Sequence, residues 1–300
     1  MFDYVSLSDV IADVLRARMA GRAFAPERLT MPVPGGVLLC MPATDDSIAV
    51  VKTITVHPGN RDLPVILGEI TVMEAATGRR LGVLDGPTVT ARRTAAVSLL
   101  AARCLAPVKE GPLLVVGAGV QAKAHIEAFY QGLGLRDIVI ASRTRARGEA
   151  LATVLGEAGI AGVRVVADAA GAAAEAAFLI TATTSREPVI PDVVREDVFV
   201  SAVGSFTPEA AELPASLVRR AALFVDDMPS AKVEAGDFLR ANVVWDTVTA
   251  LEDVLRTPVT PAGPVVFKTV GHALFDLAAA KMWLAAASTA QSVKASLPGC

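Results

Sequence analysis

Three hundred residues are enough for two domains and a sizeable core, and with 53% hydrophobic and 20% charged residues the chain is neither disordered nor unusually polar. The net charge is −3 and Lys and Arg are scattered, so there is no electrostatic footprint for nucleic acid and a small molecule is the expected partner. The start of the chain carries Asp3, Asp9 and Asp13 without a basic lead or an apolar run, which gives no secretion signal.

Up to about residue 100 the chain reads as strands broken by Gly and Pro. Residues 37–41 form a short apolar run closed by Pro42, residues 47–56 are rich in β-formers, and 66–73, Thr77-Gly78 and 81–84 spell a hairpin. In the second of these strands the two-residue period puts Val50, Lys52 and Ile54 on one face. A lysine there either snorkels to the rim or binds an anion. Residues 87–105 turn helical before Pro107, and Arg92 and Arg93 near the helix start oppose its dipole. Such a violation is a surface accident or is offset by a bound anion, and Lys52 adds weight to the second.

From Gly111 strands and helices alternate. Leu113–Val116, 138–140, 163–166, Phe178–Thr181, 198–202 and 223–225 read as strands, with helices over 121–131 and 145–155 and a weaker helical segment at 167–177. This alternation predicts βαβ units and a parallel sheet covered on both faces. A long helix is expected from Phe267 onward, returning to the N-terminal strands. Mean hydropathy is +0.50, and the most apolar stretch, 270–287, holds His272, Asp276 and Lys281, so it reads as a buried helix and not a membrane span.

Gly117-Ala118-Gly119-Val120-Gln121-Ala122 directly follows the strand Leu113–Val116 and opens a helix. The first glycine makes the tight turn, the second lets backbone N–H groups approach a pyrophosphate, and a small third residue lets helix and strand pack. The following strand ends in Ala141-Ser142-Arg143-Thr144, with no acid for a ribose 2′-hydroxyl. The Arg143 guanidinium suits a 2′-phosphate, and Ser142 and Thr144 add hydroxyls. NADPH is therefore the expected cofactor, with NADH weaker. Asp226 and Asp227, at the end of a later strand, either touch the cofactor or begin a turn, and the turn is the preferred reading. Cys40, Cys104 and Cys300 are odd in number and far apart, which implies a reducing cytoplasm. His57, His125 and His272 lack ligand spacing, so no metal is expected. His125 reads as a helix-face residue; His57 and His272 read equally as structural or catalytic.

The segments MPA (41–43), VKTITVHPGN (51–60), TARRTAA (90–96), GAGVQA (117–122), TTSREP (183–188) and VFKTVG (266–271), with Asp276, resemble the ornithine cyclodeaminase/mu-crystallin family nearly from end to end. The resemblance implies a homodimer whose α/β fold has a Rossmann NAD(P)-binding domain (111–268) inserted in a discontinuous α+β substrate-binding and dimerisation domain (1–110 and 269–300). It implies that Arg28, Lys52 and Arg93 clamp a substrate carboxylate, Lys52 and Arg93 being the catalytic candidates. Nicotinamide contacts would map to Thr183, Val203 and Gly204.

Two departures narrow the activity. The cyclodeaminase members carry an aspartate at the position aligned with Phe206 and a glutamate at that of Leu39. Apolar side chains there cannot hold an ammonium or activate water, but they suit the ring of a cyclic imine. The chain thus looks most like the family's ketimine reductases, which reduce Δ1-pyrroline-2-carboxylate or Δ1-piperideine-2-carboxylate to L-proline or L-pipecolate. The alternatives are an NAD-dependent ornithine cyclodeaminase and a non-catalytic, crystallin-like NADPH binder.

Overall fold

Helix α1 (Tyr4–Met19) opens the chain, in a region read above as strands. The Asp3 carboxylate accepts from the Val5 and Ser6 amides, and Leu7, Ile11, Val14 and Leu15 form its buried stripe. The structure is a computed structural model and describes residues 3–295. Next come β1 (Ala23–Phe24), β2 (Leu29–Val33), β3 (Gly36–Asp45), β4 (Ile48–Val56), β5 (Ile66–Glu74) and β6 (Arg80–Asp85). They form an antiparallel sheet in the order β1-β3-β4-β5-β6, with β2 also on β3. The expected hairpin is β5–β6, turning through Gly78 at φ +73°.

Helix α2 (Gly86–Leu105) leads into β7 (Leu113–Val116), α3 (Val120–Leu133), β8 (Ile138–Ala141), α4 (Arg145–Glu157), β9 (Arg164–Val166), α5 (Ala170–Glu175) and β10 (Phe178–Thr181). Then follow β11 (Phe199–Ala202), α6 (Ala215–Arg220), β12 (Ala222–Val225), α7 (Met228–Glu234), α8 (Gly236–Ala241), β13 (Val248–Ala250), α9 (Leu251–Arg256) and β14 (Val265–Lys268). The chain closes with α10 (Ala273–Ala295). The long helix expected from Phe267 therefore starts at Ala273, and Phe267 lies in a strand. A four-residue run buried at every position has no alternation to distinguish it from a helix start.

The eight strands from β7 to β14 form one parallel sheet, ordered β13-β12-β14-β11-β10-β7-β8-β9. β7, β8, β10, β11 and β14 are buried throughout, as a sheet covered on both faces requires. Phe178 meets Phe129 and Phe199 with ring centroids 6.0 and 6.4 Å away, an anchor whose truncation to alanine costs about 3–5 kcal/mol. Strand order reverses between β7 and β10, the switch point at which such sheets bind ligands. This is the α/β architecture expected, a doubly wound unit inserted in an α+β unit. Two compact units result, one running to Arg93 and resuming at His272, the other Thr94–Gly271.

In the first unit Lys52 lies opposite Met41 on β3 and Ile70 on β5. Its face of the sheet, shared with Val50, Ile54 and Val72, is buried, and α10 packs on β3 and β4. By register, Leu29, Met31, Leu67 and Val83 point to the other face, where all four are exposed. Among the described residues no helix is long and apolar enough to cross a membrane.

Candidate active site

At the switch point of the parallel sheet lies a cleft of about 540 Å³. Gly117, Ala118 and Gly119 line one side. Gly117 has φ +119°, and a Cβ there would come within 2.4 Å of the Ala182 carbonyl, so only glycine fits this turn. Gly119 caps α3 with no side-chain hydrogen bond, and a Cβ on it would meet nothing within 4 Å. The start of α3 therefore follows directly on a cleft-lining glycine turn, the sequence arrangement that receives a pyrophosphate. Ala122, fully buried, is the small residue that lets α3 approach β7.

Ser142, Arg143 and Thr144 line the cleft beyond β8, and the Ser142 hydroxyl donates to the Thr144 carbonyl. Arg147, one turn further on α4, joins them; sequence reasoning passes it over because it falls after the motif. Arg143 and Arg147 are both exposed. Thr183 closes the third side. The cleft therefore suits a dinucleotide, with Arg143, Arg147 and Asp168 all in its lining. Val120, Gln121, Val203 and Gly204 are not among its lining residues.

The first unit holds a different cluster. Lys52, 1% exposed, places Nζ 2.8 Å from Oδ2 of Asp276 in the first turn of α10, and Arg93 Nε lies 3.3 Å from Oδ1. The two anomalies of the sequence thus meet on one buried carboxylate. Sequence reasoning assigns Asp276 no role, because nothing local in 270–287 signals a partner so far away along the chain. Burial pulls the Lys52 ammonium down to about 8, against the support of Asp276 and with further lowering from Arg93 and Arg28. Arg28 is thereby within electrostatic reach of Lys52. Leu39, half-buried on β3, shares the Lys52 face two residues from Met41. Phe206 belongs to the other unit, in the segment after β11, and is 46% exposed.

His125, His272, Asp226 and Asp227 each have partners within their own unit. His125 is fully buried on α3, with Nδ1 2.8 Å from the Gln121 carbonyl and Nε2 2.9 Å from the Ser98 hydroxyl; burial pulls it down to about 4. His272 accepts from the Leu274 amide through Nδ1 at the start of α10. Asp227 caps the helix α7 through the Ser230 amide, in place of the expected turn. Asp226 does more than the turn reading allows. Its carboxylate accepts from the Thr269 hydroxyl and the Val270 and Gly271 amides, tying the segment after β14 to the end of β12. Among the described residues no group of three or more His, Cys, Asp or Glu is placed to hold a metal ion.

Residues 3–290 match the Ornithine cyclodeaminase/mu-crystallin family. The chain is 42% identical over 295 residues to Delta(1)-pyrroline-2-carboxylate reductase 1 of Burkholderia multivorans, a match covering 94% of this chain and 91% of that one. It is 39% identical over 285 residues to the Delta(1)-pyrroline-2-carboxylate/Delta(1)-piperideine-2-carboxylate reductase of Azospirillum brasilense, with 93% and 90% covered. Among solved structures it is similar to Thermococcus litoralis Delta(1)-pyrroline-2-carboxylate reductase in complex with NADH and L-proline, with a TM-score of 0.87, 26% identity and 94% and 92% covered. The family expected from the motifs is the one found: this chain belongs to the ornithine cyclodeaminase/mu-crystallin family.

Proposed function

We propose that this chain reduces a cyclic imino acid, Δ1-pyrroline-2-carboxylate or Δ1-piperideine-2-carboxylate, to L-proline or L-pipecolate, using a nicotinamide cofactor with NADPH preferred over NADH. The observation that carries the reading is the buried Lys52–Asp276–Arg93 cluster, a net-positive site on an apolar sheet face. Relatives at 39 and 42% identity are named for this reaction. The bound cofactor supplies a hydride to the imine carbon. Arg93 and Arg28 hold the substrate carboxylate. Lys52 Nζ carries the proton that the ring nitrogen takes up, and Asp276 keeps that nitrogen of Lys52 charged despite its burial. Leu39, on the Lys52 face of the sheet, offers the ring an apolar neighbour. In the cleft, Gly117 to Gly119 receive the pyrophosphate with the start of α3 at Val120 and Gln121 behind them, Arg143, with Ser142, Thr144 and Arg147, receives the 2′-phosphate, and Thr183 borders the nicotinamide, with Val203 and Gly204 on the neighbouring strand end just outside the cleft lining.

The exposed Leu29, Met31, Leu67 and Val83 on one sheet face support a homodimer. A reducing cytoplasm is the proposed compartment. Cys40 and Cys104 are both thiols, while Cys300 lies outside the described residues.

The test offers the purified protein each imine with NADPH, following loss of the reduced-cofactor absorbance, and in parallel ornithine with NAD, following ammonia. Imine turnover with no ammonia is the expected result. Efficient ammonia release would overturn it in favour of a cyclodeaminase, and NADPH binding without turnover would leave a binder.

A further inference from the structure

Glu212, Asp237 and Lys268 are sealed inside the parallel-sheet unit, none more than 1% exposed. Charges so placed are tolerated only when paired and fully hydrogen-bonded. Glu212 meets that condition unusually well. Its Oε1 accepts from the Thr183 amide and the Thr183 hydroxyl, both at 2.7 Å, and its Oε2 from the Gly204 amide at 2.7 Å and the Thr181 hydroxyl at 3.0 Å.

These donors belong to two neighbouring strand ends. β10 and β11 pair in parallel, Thr181 opposite Ala202, so the segments that follow them emerge side by side. At Gly204 the two backbones come so close that a Cβ would lie 2.1 Å from the Thr183 carbonyl oxygen. Glu212 clasps both at this point. The clasp is itself held. Asp237 Oδ1 accepts from the Glu212 and Leu213 amides, and its Oδ2 accepts from the Ser205 hydroxyl and lies 3.0 Å from Lys268 Nζ. Lys268, the last residue of β14, donates to the Ser205 carbonyl and hydroxyl. Three consecutive strand ends are thereby locked around residues 183 and 204.

We propose that Glu212 is a positioning residue for the nicotinamide half of the cofactor, shaping the edge formed by Thr183 and Gly204, with Asp237 and Lys268 fixing its carboxylate. This rests on reading the cleft as the dinucleotide site. A brace that merely stabilised the sheet would affect both halves of the cofactor alike. A positioning residue affects one.

The discriminating variant is Glu212→Gln, nearly isosteric, whose amide nitrogen would face two N–H or O–H donors where an acceptor stood. Wild-type and variant are titrated with NADPH and with 2′-phospho-ADP-ribose, which lacks the nicotinamide, and steady-state reduction of the imine is measured on both. The expected result is a loss of at least about tenfold in NADPH affinity or kcat, with 2′-phospho-ADP-ribose binding unchanged within about twofold. A parallel loss of affinity for both ligands, or unchanged affinity for both together with an unchanged kcat, overturns the proposal. Failure of the wild type to bind either ligand overturns the cofactor reading instead. If Glu212→Gln does not fold, Thr181→Val removes one donor. It should give a smaller loss confined to NADPH, restored by Thr181→Ser, and a loss shared by both ligands or absent from both again overturns the proposal.

Discussion

Replacing Asp276 with asparagine separates the electrostatic role of this residue from its shape. At 2.8 Å from Lys52 Nζ, a unit charge in surroundings of effective dielectric near 20 is worth on the order of 6 kcal/mol before desolvation. Arg93 draws on the same carboxylate and burial sets its desolvation against the attraction, so the net effect on Lys52 in the free protein is expected to be about one to two pH units. The sign follows from the charge. Asp276 raises the Lys52 value, so without it the ammonium falls further below about 8. The alkaline limb of the kcat/KM profile for the imine, expected near pH 8 in the wild type, should therefore move to lower pH in Asp276→Asn. Substrate titration is common to both proteins and cancels in the comparison. The assay is NADPH oxidation across pH 6 to 10, at cofactor saturation established for each protein. An alkaline limb that stays in place, or moves up, refutes the assignment of Lys52 and Asp276. Stability carries an independent signature. Because the folded value lies below 10.5, the folded chain binds fewer protons than the unfolded one between about pH 8 and 10.5, so Lys52 costs stability at neutral pH and the cost is relieved as pH rises through that window. In the variant that window should widen downward.

Arg143→Glu should weaken NADPH about tenfold or more and narrow its advantage over NADH, measured by titrating both; an unchanged preference removes the reason for naming NADPH. His125, held near 4 against 6.5 in the unfolded chain, contributes stability that is present above pH 6.5 and lost as pH falls through 4. In His125→Asn the loss between pH 7 and 4, read from urea midpoints, should be smaller by about 3 kcal/mol. Met31→Glu combined with Leu67→Lys places charges on the exposed sheet face and should yield a monomer by light scattering; an unaltered dimer would place the interface elsewhere.

What the sequence made legible is what is written locally. The period of two in β4 singles out Lys52, and the GAGVQA turn announces itself because strand, glycines and helix are contiguous. Helix α1 was as readable, since Leu7, Ile11, Val14 and Leu15 recur at helical spacing behind an Asp cap, but the β-rich character of the next eighty residues outweighs it in a reading by region. The partners of buried charge were not legible. Asp276 reaches Lys52 and Arg93, and Glu212 reaches Thr181, Thr183 and Gly204, across separations that only the assembled sheets bridge. Nor did sequence show that the Gly204 amide is held by Glu212.

Electroneutrality around Lys52 bears on which nitrogen compounds this face of the sheet tolerates. Lys52 and Arg93 outnumber the one carboxylate of Asp276, and the charge of Arg28 also reaches Lys52, so the balance there is positive. On the proposed reading a substrate carboxylate offsets part of that balance, and what is left opposes any further cation. An open-chain diamino acid brings two ammonium groups to that surplus. A cyclic imine brings none when unprotonated and one delocalised charge when protonated, and reduction leaves a single amine beside its own carboxylate. Preference for the ring over the open chain is thus written into the charge balance of four side chains, before any contact with the ring itself is considered.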